Sequence, residues 1–300
     1  MGTSQRDRWA EWILNRRHGG DLDERKAHLE ELAPVRETIL ENAGIRGGET
    51  VLDVGTGDGL IAFGALERVG SQGMVIFSDI SRDLLDVCRS RARNAGVEGR
   101  CEFVTASADD LAGIAAASVD VVTTRSVLIY VDDKRRAFEE FHRVLKPGGR
   151  FSIFEPINAY FPSSPNLFWN YDVTPVSHLA AKLRAVYERA HPPDSSPMMN
   201  FGERDLLEFA QLAGFEELQL DLNVEIVPGV WWGSWEAFLN AAGNPLAPTL
   251  AEAMAEVLTE QEAAEFEAYL RPLVDAQQGI KRVAVVYMQG KKRGREGEAD

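Results

Sequence analysis

The chain has 300 residues, of which 45% are apolar and 26% are charged, and its formal net charge is −15. This composition is ordinary for a globular protein with a sizeable core, built as one large domain or as a domain with an insertion. The negative charge disfavours a nucleic-acid partner, because it repels phosphate backbones.

Cysteine content and hydropathy narrow the class of protein further. Cys88 and Cys101 are too few for a zinc cluster, so we expect no metal site and two reduced, buried thiols in a cytoplasmic protein. No apolar run reaches the roughly 18 residues of a membrane span. The polar residues 1–8 are not followed by the apolar run of a signal peptide.

The N-terminal 48 residues have the apolar spacing of amphipathic helices. One apolar group comprises Trp9, Trp12, Ile13 and Leu14, and a second comprises Leu29, Leu32, Val35, Ile39 and Leu40. This pattern predicts either a helical layer packed on a sheet or a helical cover over a binding site.

Residues 49–156 alternate between strand-like and helix-like stretches. We predict strands over 50–54, 73–78, 101–105, 119–124 and 150–155. Helices are predicted over 60–69, from an N-cap at Ser81 to 95, and from Asp132 or Asp133 to 145, with a turn over 146–149. Strict alternation favours a parallel sheet with right-handed crossovers.

The alternation stops after residue 156. We predict an insertion rich in proline and aromatic residues over 157–200, a core helix and strand over 201–224, a second helical insertion over 225–279, a last strand over 280–290 and a disordered tail over 291–300. The large apolar side chains of the insertions could wall a ligand pocket, form a second core or form a homodimer interface. They are Phe168, Trp169, Tyr171, Trp231, Trp232, Trp235 and Phe238.

Residues 51–59, Val-Leu-Asp-Val-Gly-Thr-Gly-Asp-Gly, lead from an apolar strand into a glycine-rich turn. Glycines at 55, 57 and 59 permit a tight turn and the close approach of a ligand to the backbone. Leu60 stands where a dinucleotide-binding motif has its last glycine, and no Lys-Ser or Lys-Thr pair of a phosphate-binding loop follows. An acid, Asp53, lies inside the strand.

This stretch resembles motif I of the class I S-adenosylmethionine-dependent methyltransferases, of the UbiE-like small-molecule type. Residues 143–149, Arg-Val-Leu-Lys-Pro-Gly-Gly, resemble a second signature of that family, and the resemblance covers about residues 45–155. It implies an α/β fold: a doubly wound, seven-stranded Rossmann-like methyltransferase sheet whose last strand is antiparallel and lies between the fifth and sixth. The N-terminal helices would form a cover and the two insertions would form lids.

The resemblance also implies S-adenosylmethionine as the cofactor, held just past strands one to four. Asp53 would help to hold the methionine end, and Asp79 would accept hydrogen bonds from the ribose hydroxyls. Ser107 stands where the family commonly has an acid, so Asp109 could take that role beside the adenine. The cofactor-binding residues predicted in this way are Asp53, Gly55, Thr56, Gly57, Gly59, Asp79, Ile80, Ser107, Ala108, Asp109, Arg125 and Ser126.

The implied reaction is methyl transfer to an O, C or N atom of a small-molecule acceptor. Apolar insertions favour a bulky, largely apolar acceptor, such as a secondary metabolite or a quinone-like compound. Tyr130, Glu155 and His178 are the candidate catalytic residues, needed only if the acceptor must lose a proton. Two alternatives stay open: a protein that binds the cofactor but catalyses another reaction or regulates, and a nicotinamide oxidoreductase, which Leu60 argues against.

Overall fold

The computed structural model describes residues 6–161, 164–192, 195–229 and 232–294. Trp231, residues 1–5 at the start of the chain and residues 295–300 of the predicted tail lie outside these ranges. The described residues fall into two compact units. We call the first, within Glu31–Ile157, Phe201–Asn223 and Val285–Asp300, the sheet unit. The second, within Met1–Glu30, Asn158–Asn200 and Val224–Ala284, is the helical unit.

The strands are β1 (Thr50–Val54), β2 (Met74–Asp79), β3 (Cys101–Thr105), β4 (Val119–Arg125), β5 (Leu145–Pro156), β6 (Leu167–Phe168), β7 (Tyr171–Asp172), β8 (Phe215–Pro228) and β9 (Ile280–Lys292). The helices are α1 (Arg8–Glu11), α2 (Leu22–Asn42), α3 (Leu60–Val69), α4 (Arg82–Asn94), α5 (Lys134–Val144), α6 (Ser177–Ala190), α7 (Glu203–Leu212), α8 (Trp235–Asn240), α9 (Leu250–Val257) and α10 (Glu260–Asp275).

The central sheet has seven strands in the order β3-β2-β1-β4-β5-β9-β8. Neighbours among β1 to β5 are parallel, whereas β9 runs antiparallel to β5. This arrangement confirms the predicted fold, including the last strand between the fifth and the sixth. The carboxyl ends of β1, β2, β3 and β4 therefore meet at one edge, where ligands of open α/β sheets bind.

Local signals account for the helix ends. The Ser81 side chain accepts a hydrogen bond from the Leu84 N–H at 3.1 Å and begins α4. Of the two candidate caps of α5, Asp133 is the one that accepts from a backbone N–H, that of Arg136, at 2.9 Å. Such side-chain caps replace hydrogen bonds that the first turn of a helix lacks.

Two predicted boundaries are wrong. The strand predicted from Arg150 begins at Leu145, and the turn predicted over 146–149 lies inside it, where the register with β4 shifts: Val119 lies opposite Leu145 while Val121 already lies opposite Arg150. The last strand continues to Lys292, so the predicted tail at 291 is still paired with the sheet, opposite Arg150. The Lys292 ammonium donates to the Leu145 carbonyl at 2.8 Å, which helps to hold this end.

The helical unit has a core of aromatic and aliphatic side chains. Phe168, Tyr171, Trp235 and Phe238 are each at most 2% exposed, with Trp169 and Trp232 packed against them. The ring centroids of Trp169 and Phe238 are 5.3 Å apart at a near-perpendicular angle, a favourable aromatic contact. Of the three interpretations of these aromatic residues, the second core describes the four buried rings of Phe168, Tyr171, Trp235 and Phe238. The homodimer interface stays a prediction.

The N-terminal segment contains several pieces rather than one helical layer. After α1, residues Trp12–Arg16 form a π-helical turn, and Gly19 and Gly20, with φ of 59° and 78°, turn the chain into α2. The Trp12 indole N–H donates to the Ala242 carbonyl at 2.8 Å, within the helical unit. The assignment of the cover and of the two lids stays a prediction.

Candidate functional site

The turn between β1 and α3 can be built only with glycine. Gly55, Gly57 and Gly59 have φ of 63°, 57° and 91°, in the left-handed region that other residues rarely adopt. A Cβ on Gly55 would lie 2.2 Å from a methyl group of Val127, and one on Gly59 would lie 2.6 Å from the Phe63 ring. There is therefore no room for a side chain between this turn and Val127 or Phe63. Because the glycines have no Cβ, the backbone of the turn can come close to a ligand.

Asp79 joins this turn to the end of β2. Its carboxylate accepts hydrogen bonds from the Gly57 N–H at 2.9 Å and from the Ser81 N–H at 2.8 Å. A carboxylate accepts about four hydrogen bonds, so these two donors do not exhaust it. The predicted ribose-binding residue thus also fixes the shape of the glycine turn.

Buried polar atoms without partners cluster near these strand ends. Within the described residues, the Asp53 Oδ2, the Thr56 Oγ1, the Ser78 Oγ and the Thr124 Oγ1 have no partner at full hydrogen-bond geometry, although the Thr56 hydroxyl and the Ala62 N–H lie close enough to Asp53 to lower its pKa. Asp53 is 2% exposed, and its other oxygen accepts from the Thr123 hydroxyl at 2.8 Å. Burial raises the pKa of Asp53 to about 6. Native proteins seldom leave such groups unpaired, so four together indicate a polar ligand.

The turn after β3 offers a second contact surface. The Ser107 hydroxyl donates to the Asp109 carboxylate, and the Ser107 carbonyl accepts from the Asp110 N–H at 3.1 Å. Ala108 is buried, whereas Ile80, directly after β2, has 49% of its surface exposed. An exposed apolar side chain beside a polar turn suits a flat ring with a polar edge.

Arg125 ends β4 with its side chain largely withdrawn from solvent. Its guanidinium donates to the Ser126 hydroxyl at 3.5 Å, and burial lowers the pKa of Arg125, whereas the charges of Asp58 and Glu155 raise it. The next residue, Ser126, has φ of 55°, and its N–H donates to the Phe154 carbonyl at 2.8 Å. A guanidinium remains charged even where it is partly buried, so Arg125 presents an anion-binding group at the sheet edge.

Glu155 lies at the end of β5 and is fully buried. One carboxylate oxygen accepts from the N–H groups of Val127 and Leu128 at 2.8 and 2.9 Å, and the other accepts from Ile129 at 3.1 Å. Burial raises the pKa of Glu155 to about 7, although all three hydrogen bonds oppose the shift. Because both oxygens are occupied by the backbone, the geometry favours a structural role over that of a general base.

The other two catalytic candidates lie in different units. Tyr130 closes a short 3-10 turn, Leu128–Tyr130, just after the end of β4 in the sheet unit. His178 lies near the start of α6 in the helical unit, where its exposed ring is 3.9 Å from the Glu265 carboxylate. The structure thus brings the predicted cofactor residues, Tyr130 and Glu155 to one unit, and His178 is not among them.

Sequence reasoning missed Ser78, Thr124 and Val127. Ser78 and Thr124 are polar residues at the ends of otherwise apolar strands, a signal that could have identified them. Val127 contacts Gly55 only through the tertiary fold, so no local pattern marks it. Among the described residues, no group of three or more His, Cys, Asp or Glu side chains could hold a metal ion, and no helix is long and apolar enough to cross a membrane.

Comparisons with known proteins agree with this geometry. Residues 45–190 match a family described as a methyltransferase domain. The chain is 30% identical over 190 residues to the ubiquinone/menaquinone biosynthesis C-methyltransferase UbiE of Francisella tularensis subsp. novicida, which covers 60% of this chain and 76% of that protein.

Solved structures share the fold. The YcgJ protein of Bacillus subtilis has a TM-score of 0.56 at 19% identity, over 86% of this chain and 97% of its own. The [4+2]-cyclase SpnF has a TM-score of 0.53 at 20% identity, over 87% of this chain and 81% of its own. At such identities the similarity concerns the fold alone.

Proposed function

We propose that this chain, which belongs to the class I S-adenosylmethionine-dependent methyltransferase family, transfers a methyl group to a bulky, largely apolar, quinone-like small molecule. Its cofactor is S-adenosylmethionine. The observation that carries the choice of acceptor is the 30% identity to an enzyme named for ubiquinone and menaquinone biosynthesis, across 76% of that enzyme. The net charge of −15 supports a small molecule over a nucleic acid.

The residues at the sheet edge fit this cofactor. The glycine turn admits close approach, and the unpaired Asp53, Thr56 and Thr124 atoms offer polar partners for the amino-acid end. Asp79 would accept hydrogen bonds from the ribose hydroxyls, Ala108 and Asp109 would meet the polar edge of the adenine, and Ile80 would contact its face. Each assignment pairs a polar or apolar group of the cofactor with a side chain that can hydrogen-bond to it or pack against it.

Asp53 and Arg125 suit a zwitterion because they carry opposite charges close to the same turn. The Asp53 carboxylate would attract the ammonium group of the amino-acid end, and the Arg125 guanidinium would attract its carboxylate. Electrostatic attraction between Asp53 and Arg125 contributes to the pKa of each. Pairing both charges at once would orient the cofactor along the strand ends.

Orientation is the main contribution that we assign to the protein. The cofactor supplies a methyl group already activated by a sulfonium centre. The chain's residues hold the two reactants in line, and such positioning lowers a barrier by roughly 7–11 kcal/mol. If the acceptor atom is oxygen, we propose that Tyr130 in its ionised, phenolate form takes up the proton that this atom loses; an enol-like carbon would need little help.

The experiment that tests this proposal is a product analysis with a panel of acceptors. Purified protein is incubated with S-adenosylmethionine and a hydroxylated quinol, a phenol or an amine, and products are identified by mass spectrometry. We expect S-adenosylhomocysteine together with a methylated quinol. Tyr130→Phe should keep cofactor affinity and lose turnover on a phenol.

Other outcomes would separate the alternatives. A rearranged product without an added methyl group and without S-adenosylhomocysteine would contradict methyl transfer, and a fold neighbour named as a cyclase makes that control necessary. Methylation of the amine alone would move the proposal to another acceptor class.

A further inference from the structure

We propose that Glu155 is a positioning residue for the cofactor site, which it shapes by holding the turn after β4 against the glycine turn after β1. This inference rests on the cofactor site proposed above and assigns Glu155 a role without contact to the cofactor.

The first observation is the hydrogen bonding of the carboxylate. Three consecutive backbone N–H groups, those of Val127, Leu128 and Ile129, donate to it at 2.8 to 3.1 Å. The carboxylate comes from β5 and the donors follow β4, so these bonds join the ends of two neighbouring strands. Charge-assisted bonds to three successive peptides fix the path of a turn more strongly than neutral ones.

The second observation is the packing of the turn that Glu155 holds. Ser126 begins it with a left-handed φ of 55°, a conformation that a serine adopts only when its surroundings impose it. The side chain of Val127 then fills the space beside Gly55, where a Cβ would come within 2.2 Å of a Val127 methyl group. If Val127 moved, the glycine turn would therefore either lose this contact or be displaced by it.

The third observation is the electrostatic setting. Among the described residues, the positive charges that act electrostatically on Glu155 are those of Arg125 at the end of β4 and Lys134 at the start of α5, and neither forms an ion pair with it. A buried carboxylate without an ion pair is costly, so backbone donors hold its charge. Burial raises the pKa of Glu155 to about 7, and protonation near neutral pH would weaken its hydrogen bonds to the turn after β4.

Asp120 provides a matched control at the other end of the sheet. It also joins two strands: its carboxylate accepts from the Thr50 N–H at 2.9 Å and binds the Lys146 ammonium at 2.8 Å. These contacts lie at the amino ends of β1 and β4, opposite the proposed cofactor edge. Asp120→Asn should therefore weaken the fold without changing the cofactor site.

The test is calorimetric titration of S-adenosylhomocysteine into the wild type, Glu155→Gln and Asp120→Asn, from pH 5 to pH 8. In Glu155→Gln the amide group would point a donor at a backbone N–H, so we expect about tenfold weaker affinity at pH 8 from the loss of a charge-assisted bond. The wild type should lose this advantage as pH falls through about 7, where Glu155 becomes protonated. The ratio of the two affinities cancels the titration of other groups common to both proteins.

The outcomes separate this inference from the proposed function. If the wild type does not bind, the proposed function fails. If the wild type binds and Glu155→Gln has the same affinity at pH 8, or the ratio does not change with pH, Glu155 has no positioning role. An equal loss in Asp120→Asn would also overturn it.

A second variant covers the case in which Glu155→Gln does not fold. Val127→Ala leaves the carboxylate in place and removes the methyl groups that touch Gly55. We expect a severalfold loss of affinity with the fold intact by circular dichroism. Unchanged affinity would contradict the proposed path from Glu155 to the glycine turn.

Discussion

The sheet unit and the helical unit both bury polar atoms that have no partner, but in different settings. In the sheet unit these atoms belong to Asp53, Thr56, Ser78 and Thr124, close to the strand ends. In the helical unit they include the hydroxyls of Tyr171 and Tyr187, which lie inside an aromatic cluster where the ring centroids of their neighbours are 5.2 to 6.1 Å away. Unpaired buried atoms indicate a bound ligand when they lie beside a glycine-rich turn. Among packed aromatic rings they indicate a core that is stable despite the desolvation cost of an unpaired hydroxyl.

The largest effect is expected at Gly55, where an added side chain would cause both a steric clash and backbone strain. Gly55→Ala should abolish binding of S-adenosylhomocysteine, because its Cβ would collide with Val127. Gly96→Ala is the control: its φ is similarly left-handed, at 70°, but a Cβ there meets nothing within 4 Å. Calorimetry on both variants, with circular dichroism for folding, should show normal affinity in Gly96→Ala alone. Equal affinity in the two variants would contradict the claim that the space between Gly55 and Val127 determines the shape of the binding site.

The next prediction concerns the aromatic core. Phe238 is fully buried in the helical unit, so Phe238→Ala should lower the free energy of unfolding by about 3–5 kcal/mol. Denaturant titration measures this loss. Because Phe238 is a core residue, the KM for the acceptor should stay close to that of the wild type. A protein of normal stability with a raised acceptor KM would restore the pocket-wall interpretation.

A smaller effect concerns the pH dependence of cofactor binding. The pKa of Asp53 is raised to about 6 by burial, and its ionised form attracts an ammonium group. The carboxylate is ionised above this value, so affinity for S-adenosylhomocysteine should be full at pH 8. It should fall as pH drops through 6, by about tenfold per pH unit well below it. Asp53→Asn should remove the fall below pH 6 and keep the change near pH 7 that is expected from Glu155. An unchanged fall below pH 6 in that variant would assign it to another group.

The smallest effect is expected from Tyr171→Phe. Burial raises the pKa of the Tyr171 hydroxyl, which has no partner among the described residues. Removing an unpaired buried hydroxyl relieves a desolvation penalty of about 1–3 kcal/mol, so the variant should be as stable as the wild type or more stable. Thermal unfolding measures this. A clear loss of stability or of acceptor binding would mean that the hydroxyl has a function after all.

The difference between local sequence signals and tertiary contacts explains which parts of the fold could be predicted from the sequence. The bounds of β1, β3 and α3 agree with the prediction because apolar strand patterns and glycine turns are local signals. The start of β5 at Leu145 was missed because Lys146 and the two glycines after Pro147 suggest a turn, and residues 146–149 have no partner in the register with β4 or β9. Leu145 pairs with Val119 only through the tertiary fold, so no local pattern marks it as the first residue of the strand.

The candidate site divides in the same way. Motif residues such as Asp53, Gly55 and Asp79 could be found because their spacing after strands is local, and the fold brings them to one edge. The role of Glu155 depends on backbone N–H groups more than 25 residues away, which no pattern records. The aromatic residues of the insertions were ambiguous because a core and a pocket wall have the same composition.

The central claim is that the polar atoms near the ends of β1, β2 and β4 hold the cofactor. A crystal structure of the protein with S-adenosylhomocysteine tests it most directly. The account predicts the ribose hydroxyls on the Asp79 carboxylate and the amino-acid end between Asp53 and Arg125, so that the buried unpaired atoms gain partners. A nucleoside bound elsewhere, or a crevice that stays closed by the protein's own backbone, would contradict it.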